Sequence, residues 1–383
     1  MVRFLLSHRE GGREIAGAPF YGRFVPVEPA LSLRRGGRKQ SHSPIARKLC
    51  ENAAVSLSPL GPFRLSPWFS PRPWGSRSLR PWFDRTVAEN EEPIGEAWLT
   101  GPECVAETGP HRGMTLAALA QQFPGELLGT FGTDASQAGA LDYPLLLKLI
   151  FPQDKLSVQV HPDDELAREQ GHPRGKTECW YVLEAALGAT IGLGLRKGVT
   201  HDAVRAAIAD NTLEKLVNPL RVSAGDMIFV EPGTVHAIGP GVVLLETQQQ
   251  SDLTYRLYDY GRPRELHVVQ AVAATRLETE AGKVSPVQKE SHGGMRARLI
   301  DHHYFAVDRY DLGGGEAVEM EPSDVPRTLV GLTGSAAVKA LGRGKPAIDL
   351  VRAHAVVLPP SSAGYKLLAR EDSVVVCATP GEE

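Results

Sequence analysis

The sequence predicts a mainly β fold: a barrel with a small helical insert, followed by a second, smaller β domain. Short apolar runs bounded by turn residues recur from Leu57 to the C-terminus, as expected for strands joined by tight turns. Glycine and proline, at 39 and 29 of 383 residues, favour many turns over long helices. A chain of this length is ample for two hydrophobic cores.

Charge, cysteine content and hydropathy exclude several classes of protein. The formal net charge of −3 gives no general reason to expect a nucleic-acid partner. The longest apolar stretch, Tyr143 to Pro152, is interrupted by Lys148 and has about half the length of a membrane span. The cysteines form no C-x-x-C pair, so neither a disulfide framework nor a cysteine zinc site is indicated. They are Cys50, Cys104, Cys179 and Cys377. We expect a cytoplasmic protein in a reducing compartment, with no membrane partner.

The first 54 residues differ from the rest of the chain in composition. Up to Lys48 they carry eight arginines and two lysines against three glutamates, a balance of +7. They are rich in glycine, serine and proline and have no apolar periodicity, which predicts a disordered basic extension. The alternative is a basic arm that contacts an anionic partner. It is disfavoured because the arginines are scattered and lack interleaved aromatic residues.

Residues 55–277 are predicted to form the first barrel. Thr115 to Gln122 is a short helix with Thr115 as its N-cap. Tyr143 to Phe151 is a strand buried on both faces apart from Lys148. Pro162 to Gln170 begins with proline and acidic residues and stops at Gly171, which predicts a second helix. A helical insert lies within 199–218. Further strands are predicted at Trp180–Leu183, Thr190–Leu193, Met227–Val230, Gly241–Glu246 and Thr254–Tyr258.

A second, smaller β domain is predicted over residues 297–383, after a polar linker at 278–296. Its histidines, His302, His303 and His354, have no ligand spacing and are expected to be structural. Its short strands have the spacing of an antiparallel sandwich or barrel. They are Phe305–Tyr310, Arg327–Leu332, Ala336–Ala340, Ile348–Val351, Ala355–Leu358, Tyr365–Leu368 and Val374–Cys377.

Four side chains in the first barrel have the pattern of a divalent-metal site. Gln159 and His161 are two residues apart, so on a strand they point to the same face. Glu178 follows on the next strand, and His236 follows a Pro-Gly turn between two strands. Two histidines, a glutamate and a glutamine suit Zn²⁺ or, less selectively, Fe²⁺, Co²⁺ or Mn²⁺.

Each of these residues also has an ordinary structural interpretation when it is taken alone. A single buried histidine is usually a core residue satisfied by hydrogen bonds. Glu178 could pair with Lys176, and Arg256 and Arg262 could be surface charges paired with Asp259. The acidic run 163–165 needs no metal, because carboxylates in a first helical turn are stabilised by the helix dipole. The metal interpretation is favoured because the four candidate ligands occur together.

With these residues in view, the chain resembles the type I mannose-6-phosphate isomerases (phosphomannose isomerases) of the cupin superfamily, in their short bacterial form. The resemblance covers roughly residues 57–383, with motifs in the family's order. The motifs are Ser157–Asp164, Gly175–Tyr181, Pro232–Ile238, Gln248–Arg262 and Arg264–His267.

The resemblance implies a fold, a reaction and a set of site residues. It implies two cupin barrels and the reversible interconversion of mannose 6-phosphate and fructose 6-phosphate through a cis-enediol, with one divalent metal per chain, usually zinc. The partner is then a small sugar phosphate, and a monomer and a dimer both remain open. The implied metal ligands are Gln159, His161, Glu178 and His236. The implied catalytic residue is Arg256, and the implied pocket residues are Ser157, Lys176, Glu246 and Arg262.

The residues fit this chemistry. It needs a group that polarises the carbonyl, a base that moves the proton between C1 and C2, and hydrogen-bond donors that bind the phosphate. Arg256 is expected to stabilise the enediolate electrostatically, because a guanidinium stays protonated. Lys176, Glu246 and metal-activated water remain alternative bases. Arg262, Lys176 and the Ser157 hydroxyl are the candidate phosphate ligands.

Three other functions stay open at this stage. A cupin dioxygenase would use Fe²⁺ with the same ligands, although the charges of Lys176 and Arg256 disfavour an apolar substrate. A cupin could also bind metal and sugar without catalysis. A metal-dependent isomerase of another sugar phosphate is the third alternative, because C2 stereochemistry is not readable from the ligands.

Overall fold

The computed structural model describes residues 60–132, 142–289, 291, 293–342, 346–361 and 363–381. The basic extension predicted for residues 1–54 lies outside the described residues.

The strands of the first part of the chain are β1 (Phe63–Ser66), β2 (Trp68–Ser76), β3 (Ile94–Trp98), β4 (Val105–Ala106), β5 (Leu145–Ile150), β6 (Val158–Val160), β7 (Glu178–Ala185), β8 (Thr190–Leu195), β9 (Val217–Arg221), β10 (Met227–Val230), β11 (His236–Ile238), β12 (Val242–Gln249) and β13 (Tyr255–Tyr258).

The remaining strands follow after a short helix. They are β14 (Gly282–Val284), β15 (Val287–Lys289), β16 (Met295–His302), β17 (Phe305–Leu312), β18 (Ala317–Met320), β19 (Arg327–Thr333), β20 (Ala336–Ala340), β21 (Ile348–Leu350), β22 (Ala355–Leu358), β23 (Tyr365–Ala369) and β24 (Ser373–Pro380). The α-helices in the described residues are α1 (Leu116–Gln122), α2 (Pro124–Leu128), α3 (Asp164–Glu169), α4 (His201–Ala209) and α5 (Val268–Ala274). No helix in this part of the chain is long and apolar enough to cross a membrane.

Four sheets form two barrels, and the seven-stranded sheet of the first packs against the eight-stranded sheet of the second. The first barrel consists of the five-stranded sheet β13-β6-β11-β8-β9 and the seven-stranded sheet β14-β10-β7-β12-β5-β3-β2. The second consists of the eight-stranded sheet β15-β16-β17-β24-β19-β22-β1-β4 and the four-stranded sheet β18-β23-β20-β21. The predicted mainly β fold is therefore confirmed.

The position of β5 between two packed layers explains why its sequence is almost continuously apolar. Its residues Leu145, Leu147 and Leu149 pack between the seven-stranded and eight-stranded sheets, in the same cluster as Phe305 of β17. On its opposite face, Ile150 packs in the interior of the first barrel. A strand buried on both faces needs apolar residues throughout. Lys148, the one charged residue of β5, therefore lies on the face directed into the first barrel.

The predicted helices are confirmed at 115–122 and 162–170. Thr115 caps α1 and accepts a hydrogen bond from Ala118 N, and Asp163 caps α3 and accepts from Leu166 N. The helical insert is also confirmed, as α4 and a 3-10 turn at Leu213–Leu216. The prediction overlooked the helices α2 and α5 and the strands β4, β9, β16 and β18.

The polar stretch 278–296, predicted as a linker, contains strands. It includes β14, which pairs with β10, and β15, which pairs with β16. Both are edge strands of their sheets. Edge strands keep a solvent-exposed side, so their polar composition resembles that of a loop. The division of the chain into domains at 277 and 297 remains a prediction.

The strands β1 and β4 come early in the chain but belong to the eight-stranded sheet. Phe63 of β1 pairs with Val357 of β22, and Leu65 pairs with both Ala355 of β22 and Ala106 of β4. The region 55–277 therefore contributes to both barrels. Local sequence pattern does not encode the pairing of β1 with β22, because these strands are about three quarters of the chain apart.

Candidate metal and substrate site

Three residues at the centre of the candidate site lie side by side on three neighbouring strands. Gln159 of β6 lies opposite His236 of β11 on one side and opposite Arg256 of β13 on the other. In an antiparallel sheet, directly opposed residues have their side chains close together on one face. The register alone therefore brings together two predicted metal ligands and the predicted catalytic arginine.

Two histidines and a glutamate converge inside the first barrel. Ligand atoms of His161, Glu178 and His236 all lie within 4.8 Å of one another. The Nε2 atoms of His161 and His236 are each 3.5 Å from a different carboxylate oxygen of Glu178. All three residues are buried, with at most 1% of their surface exposed. Glu178 begins β7, a strand of the facing sheet, so the cluster bridges the two sheets of the barrel.

The hydrogen bonds of the two histidines orient their free nitrogens toward the cluster. His161 Nδ1–H donates to the Leu253 carbonyl, and His236 Nδ1–H donates to the Thr234 carbonyl, each over 2.9 Å. This fixes the neutral tautomer in which Nε2 carries a lone pair, the arrangement that metal-binding histidines use. Burial holds the pKa of His161 well below its ordinary value and lowers the pKa of His236 to about 4. Both rings are therefore neutral ligands at physiological pH.

Several atoms of the cluster have no hydrogen-bond partner among the described residues. They are His161 Nε2 and both carboxylate oxygens of Glu178, of which Oε2 forms an ion pair with Lys176 Nζ at 3.1 Å. Leaving buried polar atoms unsatisfied costs about 1–3 kcal/mol each. A divalent cation coordinated by these atoms would remove the cost and would balance the buried carboxylate. The residues therefore fit a metal ion.

Gln159 completes the set as the fourth candidate ligand. Its Nε2 lies 3.2 Å from His236 Nε2, and its Oε1 is the acceptor of the Ser157 hydroxyl at 3.2 Å. A half-turn of the amide group exchanges these two atoms and presents Oε1 to the cluster. The structure thus brings together all four residues that the sequence predicted as ligands. Their coordination of an ion stays a prediction.

A polar cavity of about 370 Å³ opens beside the cluster. It is lined by the predicted residues Ser157, Gln159, Lys176, Glu246 and Arg256. The other charged residues in its wall are Arg72, Glu92, Glu96, Lys148, Asp252 and Arg264. The cavity is large enough for a small ligand and has charged residues of both signs in its wall.

Lys148 is a buried cation in this wall to which the sequence interpretation gave no role. Its Nζ lies 3.0 Å from Asp252 Oδ1, 3.7 Å from Glu246 Oε2 and 4.7 Å from the centre of the Trp98 ring. Burial alone would lower the pKa of Lys148, but the surrounding carboxylates outweigh it and raise the pKa. The sequence feature that could have identified this residue is a single lysine within an otherwise apolar strand.

Glu246 and Lys176, the two predicted base candidates, both line the cavity but have different partners. Glu246 Oε1 accepts from the Trp180 indole at 3.1 Å, and burial raises the pKa of this carboxyl. Lys176 Nζ is 3.1 Å from Glu178 Oε2. The lysine therefore interacts directly with a candidate metal ligand, whereas the glutamate faces Lys148.

The two arginines that follow β13 have different positions relative to the cavity. Arg264 lines the cavity, and Asp259 anchors it through hydrogen bonds to Nε and Nη2 of 2.6 and 2.7 Å. Arg262, predicted as a substrate ligand, is not part of the cavity wall. Its Nη2 donates to the Lys155 carbonyl at 2.6 Å and lies 3.0 Å from Asp259 Oδ1. This guanidinium therefore links one turn to another outside the cavity wall, and its Nη1 lies 3.9 Å from Asp154 Oδ2.

A hydrogen-bond network centred on Asp164 supports the segment that carries Lys176 and Glu178. Asp164 Oδ1 accepts from Gly175 N at 2.7 Å and from Gln249 Nε2 at 3.1 Å. The Gln249 Oε1 atom accepts from Thr177 N at 2.9 Å. The hydroxyl of Tyr304, from the second barrel, donates to Asp164 Oδ2 at 2.8 Å. The second barrel thus braces the loop that leads into the metal cluster.

Removing this brace should weaken the site. We expect Tyr304→Phe to lower kcat/KM roughly two- to tenfold, because one hydrogen bond of this kind contributes about 0.5–1.5 kcal/mol. Metal affinity should fall by a similar factor, measured by titration against a chelator. Tyr365→Phe is the matched control, because it deletes another second-barrel hydroxyl bond, to the Pro359 carbonyl, away from the cavity. Equal effects of the two variants on metal affinity would contradict the bracing role.

Sequence comparisons place the chain among proteins of one activity. A family model for the catalytic domain of type I phosphomannose isomerase matches residues 63–184. A putative mannose-6-phosphate isomerase of Bacillus subtilis (strain 168) is 33% identical over 274 residues, which cover 68% of this chain and 83% of the relative. The mannose-6-phosphate isomerase of Streptococcus mutans is 34% identical over 267 residues, with coverage of 67% and 80%.

Solved structures have the same architecture. The mannose 6-phosphate isomerase from Bacillus subtilis superposes with a TM-score of 0.72 at 28% identity, covering 83% of this chain and 99% of that chain. An arginine-to-alanine variant of phosphomannose isomerase from Salmonella typhimurium gives a TM-score of 0.65 at 16% identity, covering 84% and 100%. At that lower identity the likeness concerns the fold alone.

Proposed function

The chain belongs to the type I phosphomannose isomerase family, and on that premise we propose that it interconverts mannose 6-phosphate and fructose 6-phosphate in the cavity described above. The observation that carries the proposal is the buried cluster of His161, Glu178 and His236 beside a polar cavity, in which His161 Nε2 and Glu178 Oε1 have no hydrogen-bond partner among the described residues. Members of the family depend on a metal, and this donor set fits one.

We infer that the ion is zinc. His161, His236, Glu178 and Gln159 offer two imidazole nitrogens, one carboxylate and one amide oxygen, a set of four donors that suits Zn²⁺. When bound there, the ion supplies Lewis-acid polarisation of the substrate oxygens at C1 and C2. Glutamine is a neutral ligand, so the protein ligands carry a single negative charge and the loaded site remains net positive.

Arg256 is the residue we assign to charge stabilisation. It lies directly opposite Gln159 in the sheet, and its Nη1 is held by the Glu265 carbonyl at 2.8 Å. Its buried Nε has no hydrogen-bond partner in the described part of the chain. Burial, with the neighbouring Arg264, lowers the pKa of Arg256, yet a guanidinium remains charged at neutral pH. A preorganised cation at this position stabilises negative charge as it develops on the substrate oxygen.

Glu246 is the better supported of the two base candidates. Its Oε1 is held by Trp180, and Oε2 is left on the side of Lys148 at the cavity wall. A buried carboxylate whose pKa is raised is suited to take a proton at one carbon and return it at the next. Lys176 has its ammonium directed to Glu178, which favours a positioning role for it.

The phosphate needs cationic donors at the open side of the cavity. We assign this role to Arg264, because Asp259 holds two of its nitrogens and leaves Nη1 for a ligand. Ser157 and Lys176 remain additional candidates, since both line the same wall. Arg264 thus takes the role that the sequence suggested for Arg262. Anchored arginines bind phosphate well, because their planar forks are already oriented.

A coupled assay tests the proposal. Metal-loaded protein should turn over mannose 6-phosphate, and glucose 6-phosphate should react at least about tenfold more slowly, a difference of about 1.4 kcal/mol in activation free energy. Metal content, measured on the same sample, should approach one ion per chain, and Zn²⁺ should restore activity after chelation. Binding of metal and sugar phosphate without turnover would instead favour a non-catalytic cupin. Turnover that requires dioxygen would favour the dioxygenase alternative.

A further inference from the structure

The second barrel contains a cavity of its own, with a volume of about 640 Å³. It lies at one end of this barrel, where strands β16, β17, β19 and β24 of the eight-stranded sheet meet β18 of the four-stranded sheet. Three arginines line it: Arg296, Arg298 and Arg327. A cavity of this size is in the range that holds small organic ligands. None of its lining residues belongs to the isomerase site.

The first two arginines are placed by strand register. Arg298 lies opposite Asp308, and Arg296 lies opposite Tyr310. Asp308, which is 4% exposed, accepts from Arg298 Nε at 2.7 Å and from Arg296 Nη2 at 2.8 Å. Arg298 has a second carboxylate partner in Asp301, at 2.6 Å. One buried carboxylate therefore accepts hydrogen bonds from two guanidiniums. The buried Nε of Arg296 has no hydrogen-bond partner in the described residues.

The third arginine has no carboxylate partner within the described ranges. Arg327 Nη1 donates to the Glu321 carbonyl at 2.8 Å, and its remaining contact is a 3.5 Å bond to the Pro322 carbonyl. The lining carboxylates other than Asp308 are Glu319 and Glu321, which are exposed. Glu319 lies 3.6 Å from Lys366 on the neighbouring strand. The inner wall therefore carries excess positive charge, and the acidic residues lie at the solvent side.

We propose that this cavity binds a small organic phosphate. Arg296 and Arg327 hold the phosphate, since they are the two guanidiniums with hydrogen-bonding capacity left. The Tyr310 ring, which lies 5.8 Å from the guanidinium carbon of Arg296, and Met320 form an apolar surface for the carbon skeleton. The proposal is independent of the isomerase function, because the two cavities lie in different barrels.

Titration calorimetry of inorganic phosphate and glycerol 3-phosphate into the metal-loaded full chain tests this proposal. Arg327→Gln should weaken one class of sites about tenfold or more, with isomerase KM unchanged. Arg370→Gln is the matched control in the same barrel, because its exposed guanidinium pairs with Asp349 outside the cavity. If Arg327→Gln fails to fold, Arg296→Lys keeps the charge beside Asp308 and removes the planar fork, with the same expected loss.

Three results would overturn the proposal. The first is phosphate binding by a well-folded Arg327→Gln or Arg296→Lys protein equal to that of the unaltered chain. The second is a single class of sites that Arg264→Gln abolishes, because all binding would then belong to the isomerase cavity. The third is a site that takes citrate but neither phosphate compound, which would identify a carboxylate site instead.

Discussion

Replacing His161 by alanine should abolish isomerase activity together with the bound metal. His161 Nε2 is buried and has no hydrogen-bond partner among the described residues, and its ring is fixed by the Leu253 carbonyl. Loss of a group that merely orients a ligand commonly costs 10- to 100-fold in metal affinity, so loss of the ligand itself should exceed about 100-fold. Activity in the coupled assay should then fall to background.

Metal content and thermal stability give readouts that do not depend on turnover. Unaltered protein should melt at a higher temperature when zinc is added, because a ligand at about 100 times its Kd adds about 2.7 kcal/mol of stability. The His161→Ala protein should show no such rise. His172→Ala, which alters an exposed histidine near the same segment, should behave like unaltered protein. A fully active His161→Ala protein with one ion per chain would disprove the assignment.

Replacing Arg256 by alanine should lower kcat about 100-fold or more while leaving the metal bound. Removing one preorganised donor for a developing oxyanion typically costs about 2.7–4 kcal/mol of barrier. Arg256 touches none of the three cluster residues through a hydrogen bond, so metal content should stay near one ion per chain. Arg256→Lys should recover only part of the rate, because an ammonium lacks the planar fork.

Arg262→Ala provides the comparison for Arg256. This guanidinium holds Lys155 and Asp259 outside the cavity, so its removal should lower the melting temperature and change kcat less than tenfold. For both variants, kcat reports on loss of catalysis and the melting temperature reports on loss of stability. An unchanged kcat in Arg256→Ala, or a larger kcat loss in Arg262→Ala, would reverse the assignment.

The centre of the candidate site was predictable because its residues obey local rules. Gln159 and His161 share a face through strand alternation, and the Pro-Gly turn before His236 returns the chain to the same barrel. The position of Glu178 at the start of β7 followed from the apolar run that comes after it. These relations need only the period of a strand and the position of a turn.

Long-range geometry was not predictable in the same way. Asp259 contacts both Arg262 and Arg264, but the Lys155 carbonyl holds Arg262 away from the cavity, whereas Arg264 lines it. Lys148 was visible as a charge in an apolar strand. Its partners Glu246 and Asp252 lie about a hundred residues later, and no local pattern identifies them.

The pairing of β1 with β22 has a consequence for how the chain is made. Phe63 and its partner Val357 are 294 positions apart in sequence (357 − 63). During synthesis from the N-terminus, β1 leaves the ribosome long before its main partner exists, and only the two-residue β4 is available to it. Closure of the eight-stranded sheet therefore waits until nearly the whole polypeptide has emerged, and the second barrel is completed only when both ends of the described chain are present.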